Sequence, residues 1–280
     1  MPLPNFLVIG ASRAGTTSLY HYLGAHPEIF LPAIKETNYF AHPGRRDERF
    51  PVVTADAYAA LFAGAGAARA RGEVSPIYLS RSELAAERIR RELPGVRLVA
   101  SLRHPAERAV SNYLLHYRQG LDRRPLEQAF RDADAYAEYV REGGYAARVG
   151  EYARRFPRER IHVCLFEDLA RDPAAVLREI FAFLEVDPEF RADTSRRHNP
   201  GGVPRRTWLN DLLVRPGPAQ ALARLAPAWL RRVGRGVRDA NQAPPPRLPP
   251  ELRARLVAFF RDDVLRLQDW LARDLSAWLR

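Results

Sequence analysis

Lysine is almost absent from this 280-residue chain: Lys35 stands alone among 44 basic residues, and all the others are arginine. Cysteine is equally scarce. Cys164 has no second thiol to pair with, so an internal disulfide is excluded, and one thiol does not make a zinc site. No apolar run approaches the roughly 18 residues of a membrane span. The first such run, Phe6-Leu7-Val8-Ile9, has neither the length nor the basic leader of a signal peptide. These absences lead to the expectation of a soluble, cytoplasmic protein. What is present is a globular composition, 46% hydrophobic and 10% aromatic, which excludes a wholly disordered chain. The length suffices for a large core without disulfides or metal. A formal net charge of +11 fits either a solvated arginine-rich surface or a protein that handles anions. Charge alone does not choose among nucleotide, nucleic acid and anionic glycan.

Hydrophobic patterning predicts strands over 5–10, 29–31, 96–102 and 161–166, as short apolar runs bounded by glycine, proline or polar residues. Helices are predicted over 16–25, 55–63, 82–92, from Pro105 onward, over 145–155, and from Asp172-Pro173 to Leu184, with Asp172 as N-cap and Pro173 at the first position. Residues 33–50 read as loop. Strands alternating with helices imply an α/β fold with a parallel sheet and helices on its faces. The organisation expected is one domain over 1–280: a core at 5–185, an irregular Pro/Arg-rich segment at 186–250, and a C-terminal docking helix at 251–280. Within the irregular segment, Trp208, Leu209, Leu212, Leu213, Trp229 and Leu230 suggest short packed helices. The last helix is read from Leu252, Leu256, Phe260, Val264, Leu267, Leu271, Leu275 and Trp278, which recur every three or four residues.

The sharpest local signal is Gly10-Ala11-Ser12-Arg13-Ala14-Gly15-Thr16-Thr17-Ser18, placed after a strand and before a helix. Glycines permit a tight turn there, and the N–H groups that open a helix face an anion. The competing reading is a glycine turn capped by Thr16. The segment is P-loop-like, but Thr16 stands where G-x-x-x-x-G-K-[ST] demands lysine, and the cation, Arg13, lies inside the loop. Phosphoryl transfer uses that lysine with magnesium. A transferred sulfuryl group carries less charge, and hydroxyls, amides and one guanidinium can serve it without metal.

These residues resemble the sulfotransferases that use 3′-phosphoadenosine 5′-phosphosulfate (PAPS), closest in motifs to the heparan-type and related bacterial members. Gly10 to Leu19 is similar to the family's 5′-phosphosulfate loop, G-x-x-[KR]-x-G-T-T-S-L. Lys35-Glu36-Thr37-Asn38-Tyr39-Phe40 resembles K-E-x-x-[YF]-F, Glu73-Val74-Ser75-Pro76-Ile77-Tyr78 resembles E-x-[ST]-P-x-Y, and Leu102 to Tyr113 resembles the 3′-phosphate segment L-R-[DN]-P-x-x-R-x-x-S-x-Y. Phe166-Glu167-Asp168-Leu169 and Arg273 to Trp278 also match. The resemblance runs from residue 6 to about 185 and returns at the C-terminus, and it implies a P-loop-like three-layer fold. It implies PAPS as co-substrate, adenosine 3′,5′-bisphosphate as product and no metal. The donor would be held by Ser12, Arg13, Ala14, Gly15, Thr16, Thr17 and Ser18 at its 5′ end and by Arg103 and Ser111 at its 3′-phosphate. Two departures stand out: Arg13 where most heparan-type relatives carry lysine, and His104 where Asp or Asn is usual.

Sulfuryl transfer to a hydroxyl or amine calls for a general base. By the matched motif this is Glu36, with Arg13 and Lys35 as further catalytic candidates; without the motif, Lys35 and Glu36 read as an exposed ion pair of little energy. Arg103 alone reads equally as a surface partner of Glu107, and Arg108 as structural. None of the seven histidines has a context that displaces Glu36, and no metal-ligand spacing is present. A basic, glycine-containing loop, Arg196 to Arg206, is placed where the family closes over its nucleotide. The acceptor expected is a glycan, a glycolipid or a small metabolite. Two rival functions are a P-loop kinase or NTPase, against which Thr16 argues, and a nucleic-acid-binding protein, for which no recognised module is present.

Overall fold

The computed structural model describes residues 3–42, 44, 47, 50–131, 139–195, 202–206, 236, 241–243, 246 and 248–280. Five parallel strands form the central sheet: β1 (Phe6–Gly10), β2 (Ile29–Phe30), β3 (Ala70–Val74), β4 (Arg97–Leu102) and β5 (Ile161–Leu165), in the spatial order β2-β3-β1-β4-β5. Val8 is level with Val74 on one side and Val99 on the other. The helices are α1 (Thr16–Gly24), α2 (Ala55–Ala60), α3 (Ile77–Ser80), α4 (Ser82–Glu92), α5 (Pro105–Gln119), α6 (Leu126–Ala129), α7 (Tyr145–Ala153), α8 (Phe166–Arg171), α9 (Pro173–Phe183) and α10 (Pro250–Leu271).

The period-2 alternation of β1 builds two cores from one strand. Phe6 and Val8 point to a layer formed by Leu19 and Leu23 of α1 and Leu177, Ile180 and Phe181 of α9. Leu7 and Ile9 point to the opposite layer, made by α4, α5, α7 and α10 through Ile89, Ala109, Val149 and Phe260, among others. Both faces of the strand are covered, which is why its sequence is a continuous apolar run. The result is the three-layer α/β architecture expected. Asp172 accepts from the Ala175 amide and Pro173 opens α9, as the N-cap pattern predicts.

Three features differ from the sequence reading. The strand β3, Ala-Arg-Gly-Glu-Val, carries no apolar run, and hydrophobic patterning does not predict it. Phe166, expected at the end of β5, instead opens α8. The C-terminal helix stops at Leu271: Ala272 adopts φ 51° and Gln268 accepts from the Leu275 amide, so Leu275 and Trp278 are buried from a following 3₁₀ turn (Ser276–Leu279) rather than from one continuous helix. Of the irregular segment, Val203–Pro204 pair antiparallel with Gln242–Ala243; Trp208, Leu209, Leu212, Leu213, Trp229 and Leu230 lie outside the described residues.

Candidate active site

From β1 the chain passes through α1 to β2 and β3 on one side, and β4 and β5 then add on the other. The carboxyl ends of β1 and β4 therefore flank the switch point of the sheet, where open α/β sheets bind ligands. The turn 12–15 fills this place. Ala11 N–H donates to the Ser101 carbonyl at 2.7 Å, and Ser101 Oγ donates to the Ala14 carbonyl at 2.6 Å, so β4 fixes the turn at two points. Gly15, at φ 82°, is the N-cap of α1; a Cβ there would lie 2.9 Å from the Phe166 ring. Among the described residues no side chain caps α1, so the Thr16 cap does not form. Thr16 is buried in the first turn, with Thr17 and Ser18 partly exposed beside it. Ser12 and Ala14 belong to the turn itself.

Arg13 leaves this turn at φ 70° and points toward β4 and α5: its Nε donates to Ser111 Oγ at 3.1 Å across 98 positions of sequence. Sequence reading assigns these two residues to opposite ends of the donor, and the fold joins them. Arg103 stands at the end of β4 with one guanidinium nitrogen 3.4 Å from the Arg13 carbonyl and its guanidinium carbon 4.8 Å over the Phe166 ring. Its approach to Glu107 Oε2 is long, 3.8 Å, and Glu107 Oε1 is engaged at 2.8 Å by Arg253. Arg13, Arg103, Ser111 and Arg118 line one cleft of about 110 Å³, with Leu114, Leu115, Pro246, Leu248 and Gly202. Burial, then Arg118, Arg103 and Arg108, push the Arg13 guanidinium down to about 10. Glu107 is the one carboxylate among the described residues that line it.

Arg108 is fully buried, where it donates to Glu142 at 3.0 Å and to the Tyr139 carbonyl, a structural placement. His104 also acquires a defined task. Its Nδ1 accepts from the Ala106 amide at 3.2 Å, capping α5 as an Asp or Asn would, and burial pushes its imidazole down to about 4. Glu167 accepts from the His104 amide at 2.8 Å, and Asp168 pairs with Arg273, which ties the C-terminal motif to the end of β5.

Glu36 lies on the other side of β1. Its amide donates to the Val74 carbonyl at 3.1 Å, at the end of β3, and its exposed carboxylate touches the Lys35 ammonium. The fold thus separates the basic cleft of Arg13, Arg103 and Ser111 from the Lys35–Glu36 pair by the width of β1 and its turn. Sequence reading misses Arg118, Phe166 as the support under Arg103 and Gly15, and the lining residues Pro246 and Leu248; Gly202 belongs to the Arg196 to Arg206 loop that it does single out. Arg118 has a signal: it lies seven residues after Ser111, two turns along one face of α5. The rest of the Arg196 to Arg206 loop before Gly202 is outside the described residues.

Comparison with known proteins agrees with this geometry. Residues 4–190 match the model of the sulfotransferase family. Over 99% of its length the chain is 26% identical to the bifunctional heparan sulfate N-deacetylase/N-sulfotransferase 4 of Mus musculus, of which it spans 31%. Over 46% of its length it is 34% identical to the membrane-associated sulfotransferase kil1 of Dictyostelium discoideum, of which it spans 26%. The crystal structure of a sulfotransferase from Alicyclobacillus acidocaldarius superposes with a TM-score of 0.76 at 31% identity, covering 100% of both chains. The chain thus spans under a third of the length of the first two curated relatives. Among the described residues no helix is long and apolar enough to cross a membrane.

Proposed function

The chain belongs to the sulfotransferase family, and from that premise we propose that it moves a sulfuryl group from 3′-phosphoadenosine 5′-phosphosulfate to a hydroxyl or amine of a glycan, a glycolipid or a small metabolite. The observation that carries the donor assignment is the crowding of Arg13. Arg13, Arg103 and Arg118 turn toward one cleft in which Glu107 is the one carboxylate among the described residues, and burial with the neighbouring arginines holds the Arg13 guanidinium down to about 10. A nucleotide with phosphate at both ends relieves that repulsion, and charge-assisted bonds from arginine to phosphate are strong and directional. Ser12 to Ser18 would take the 5′ end at the N-terminus of α1. Arg103 and Ser111 would take the 3′-phosphate, and Arg118, which lines the same cleft, would add a third contact there.

In the reaction Glu36 accepts the proton of the acceptor as its oxygen or nitrogen bonds to sulfur. The bond from sulfur to the leaving phosphate oxygen breaks, and that oxygen keeps the electron pair. Arg13 and the amides that open α1 neutralise the charge developing there. The Lys35 ammonium, in contact with Glu36, is a further cation at this edge of the site. The product is adenosine 3′,5′-bisphosphate, and no residue is assigned to metal. Cys164, buried and free, suits a reducing, cytoplasmic compartment as part of the same reading.

Calorimetry with adenosine 3′,5′-bisphosphate, magnesium-ATP and a single-stranded oligonucleotide tests the donor. The expected outcome is magnesium-independent binding of the bisphosphate and weaker binding of the other two. Tight magnesium-ATP binding with no heat from the bisphosphate would overturn it in favour of a kinase. Turnover of the donor is read with desulfated heparan sulfate as a probe acceptor, and with water alone. Glu36→Gln should lose about 10²–10⁴-fold in turnover while keeping its affinity for the bisphosphate.

A further inference from the structure

The segment 73–78 matches a family motif, yet the reaction above gives it no task. Its first residue is unusual in its surroundings. Glu73 is 1% exposed at the end of β3, and no arginine, lysine or histidine pairs with it among the bonds described. Four hydroxyls surround it instead. Tyr58 OH and Tyr78 OH donate to Oε1 at 2.8 and 2.6 Å; Ser75 Oγ at 2.9 Å and Thr37 Oγ1 donate to Oε2. Burial pushes the Glu73 carboxyl up, and the four hydroxyls oppose that shift. Burying a carboxylate is costly, and a core position does not need one.

What the carboxylate does can be read from the other side of the hydroxyls. Asn38 N–H donates to Ser75 Oγ at 3.1 Å, Tyr39 N–H to Thr37 Oγ1 at 3.4 Å, and Phe40 N–H to Tyr78 OH at 3.4 Å. A hydroxyl has one proton to give. An acceptor-only anion at the centre draws those protons inward and turns the lone pairs outward, where three successive amides meet them. The same stretch holds Glu36 at φ 65° and Asn38 at φ 55°. Two non-glycine residues in the left-handed region, two positions apart, persist only where the surroundings over-determine them. Here the amides of 36, 38, 39 and 40 are all bound to β3 or to its hydroxyl cluster.

We propose that Glu73 is a positioning residue that acts through Glu36: its carboxylate sets the polarity of Thr37, Ser75 and Tyr78, and the clamped turn holds Glu36 at the edge of the anion site. The proposal rests on the assignment of Glu36 as base. Glu73→Gln keeps size and shape but puts an NH₂ donor at the centre. Hydroxyls on that side then have to accept from it, in competition with the amides. Thr37→Val removes one hydroxyl without touching Glu73, and Thr37→Ser restores it.

The test is amide hydrogen exchange of the wild type and the three variants, with turnover of 3′-phosphoadenosine 5′-phosphosulfate measured alongside on desulfated heparan sulfate and on water. In Glu73→Gln and Thr37→Val, exchange at 36–40 should rise by ten-fold or more with the sheet still protected. Turnover should fall at least ten-fold, and affinity for adenosine 3′,5′-bisphosphate should stay within two-fold. Thr37→Ser should behave as wild type. In a Glu36→Gln background, Glu73→Gln should cost no further turnover, a result that a merely structural role would not give. Unchanged exchange at 36–40, or losses that add to that of Glu36→Gln, would overturn the positioning role and leave the base assignment standing. Full turnover in Glu36→Gln alone would overturn the base assignment, and the positioning role with it. Should Glu73→Gln not fold, the Thr37 pair decides the question.

Discussion

The two sides of β1 carry opposite electrostatic designs. On the β4 side, Arg13 and Arg103 face one cleft in which the single acidic residue among the described lining, Glu107, is already engaged by Arg253. On the β3 side, Glu73 is buried and every hydroxyl around it is matched to a donor or acceptor. The first region turns cations toward an open cleft; in the second, each of the four hydroxyls around Glu73 donates to its carboxylate. Charge left uncompensated marks where a ligand binds, and charge fully compensated inside the protein marks what holds the machinery still.

Two alanine substitutions sharpen this contrast most. Glu73→Ala leaves four hydroxyls without their acceptor, and each buried group so orphaned costs about 1–3 kcal/mol. A stability loss of at least about 3 kcal/mol is expected in urea unfolding. Arg103→Ala removes a partly buried guanidinium that stacks on Phe166 and makes long contacts to the Arg13 carbonyl and Glu107, so its effect on stability should stay within about 1–2 kcal/mol. The order reverses when affinity is read. Arg103→Ala should weaken adenosine 3′,5′-bisphosphate by about 10–100-fold in calorimetry, the worth of one charge-assisted phosphate contact. Equal destabilisation by both variants would break the comparison.

A smaller effect probes the hinge between the regions. Gly15 is left-handed at φ 82°, and a methyl group there would press on the Phe166 ring that also supports Arg103. Gly15→Ala should cost about 1–2 kcal/mol of stability for the backbone conformation alone. It should also weaken the bisphosphate several-fold, since Arg103 stacks on Phe166. Affinity unchanged beside a lowered melting temperature would separate the ring from the binding of the nucleotide.

Much of this architecture is legible in the amino-acid sequence. The strands β1, β4 and β5 announce themselves as apolar runs because both faces of each are covered. The Gly10 to Ser18 turn, Pro105 and Asp172 are legible as local chemistry, in which the deciding partners are a few residues away. What escapes is non-local. β3 reads Ala-Arg-Gly-Glu-Val, and its Glu73 can be buried only because Thr37 and Tyr58 converge on it from separate segments to join Ser75 and Tyr78 of its own. The Arg13 to Ser111 bond spans 98 positions, so nothing local hints at it. The apolar repeat of the C-terminus continues through Trp278 although the helix has ended, because a 3₁₀ turn after Ala272 buries the same spacing.

The finest test concerns His104, the departure from the Asp or Asn that the family motif leads one to expect. Its Nδ1 accepts from the Ala106 amide, so the cap requires the neutral ring, and burial pushes the imidazole from 6.5 down to about 4. The unfolded chain therefore binds a proton that the folded chain refuses. The stability this neutral ring contributes is fully present above pH 6.5, declines as pH falls, and is gone below about pH 4. His162, also pushed down to about 4 by burial, titrates in the same window, as do ordinary carboxylates at its acid end. The informative quantity is thus the difference between wild type and His104→Asn, a variant that keeps an N-cap acceptor without a titrating group. Unfolding free energies measured from pH 7 to pH 4 should converge or cross in favour of Asn as the pH drops. A constant difference across that range would mean that the ring is not held neutral, and the basic side of β1 would then contain one more cation than the arginines account for.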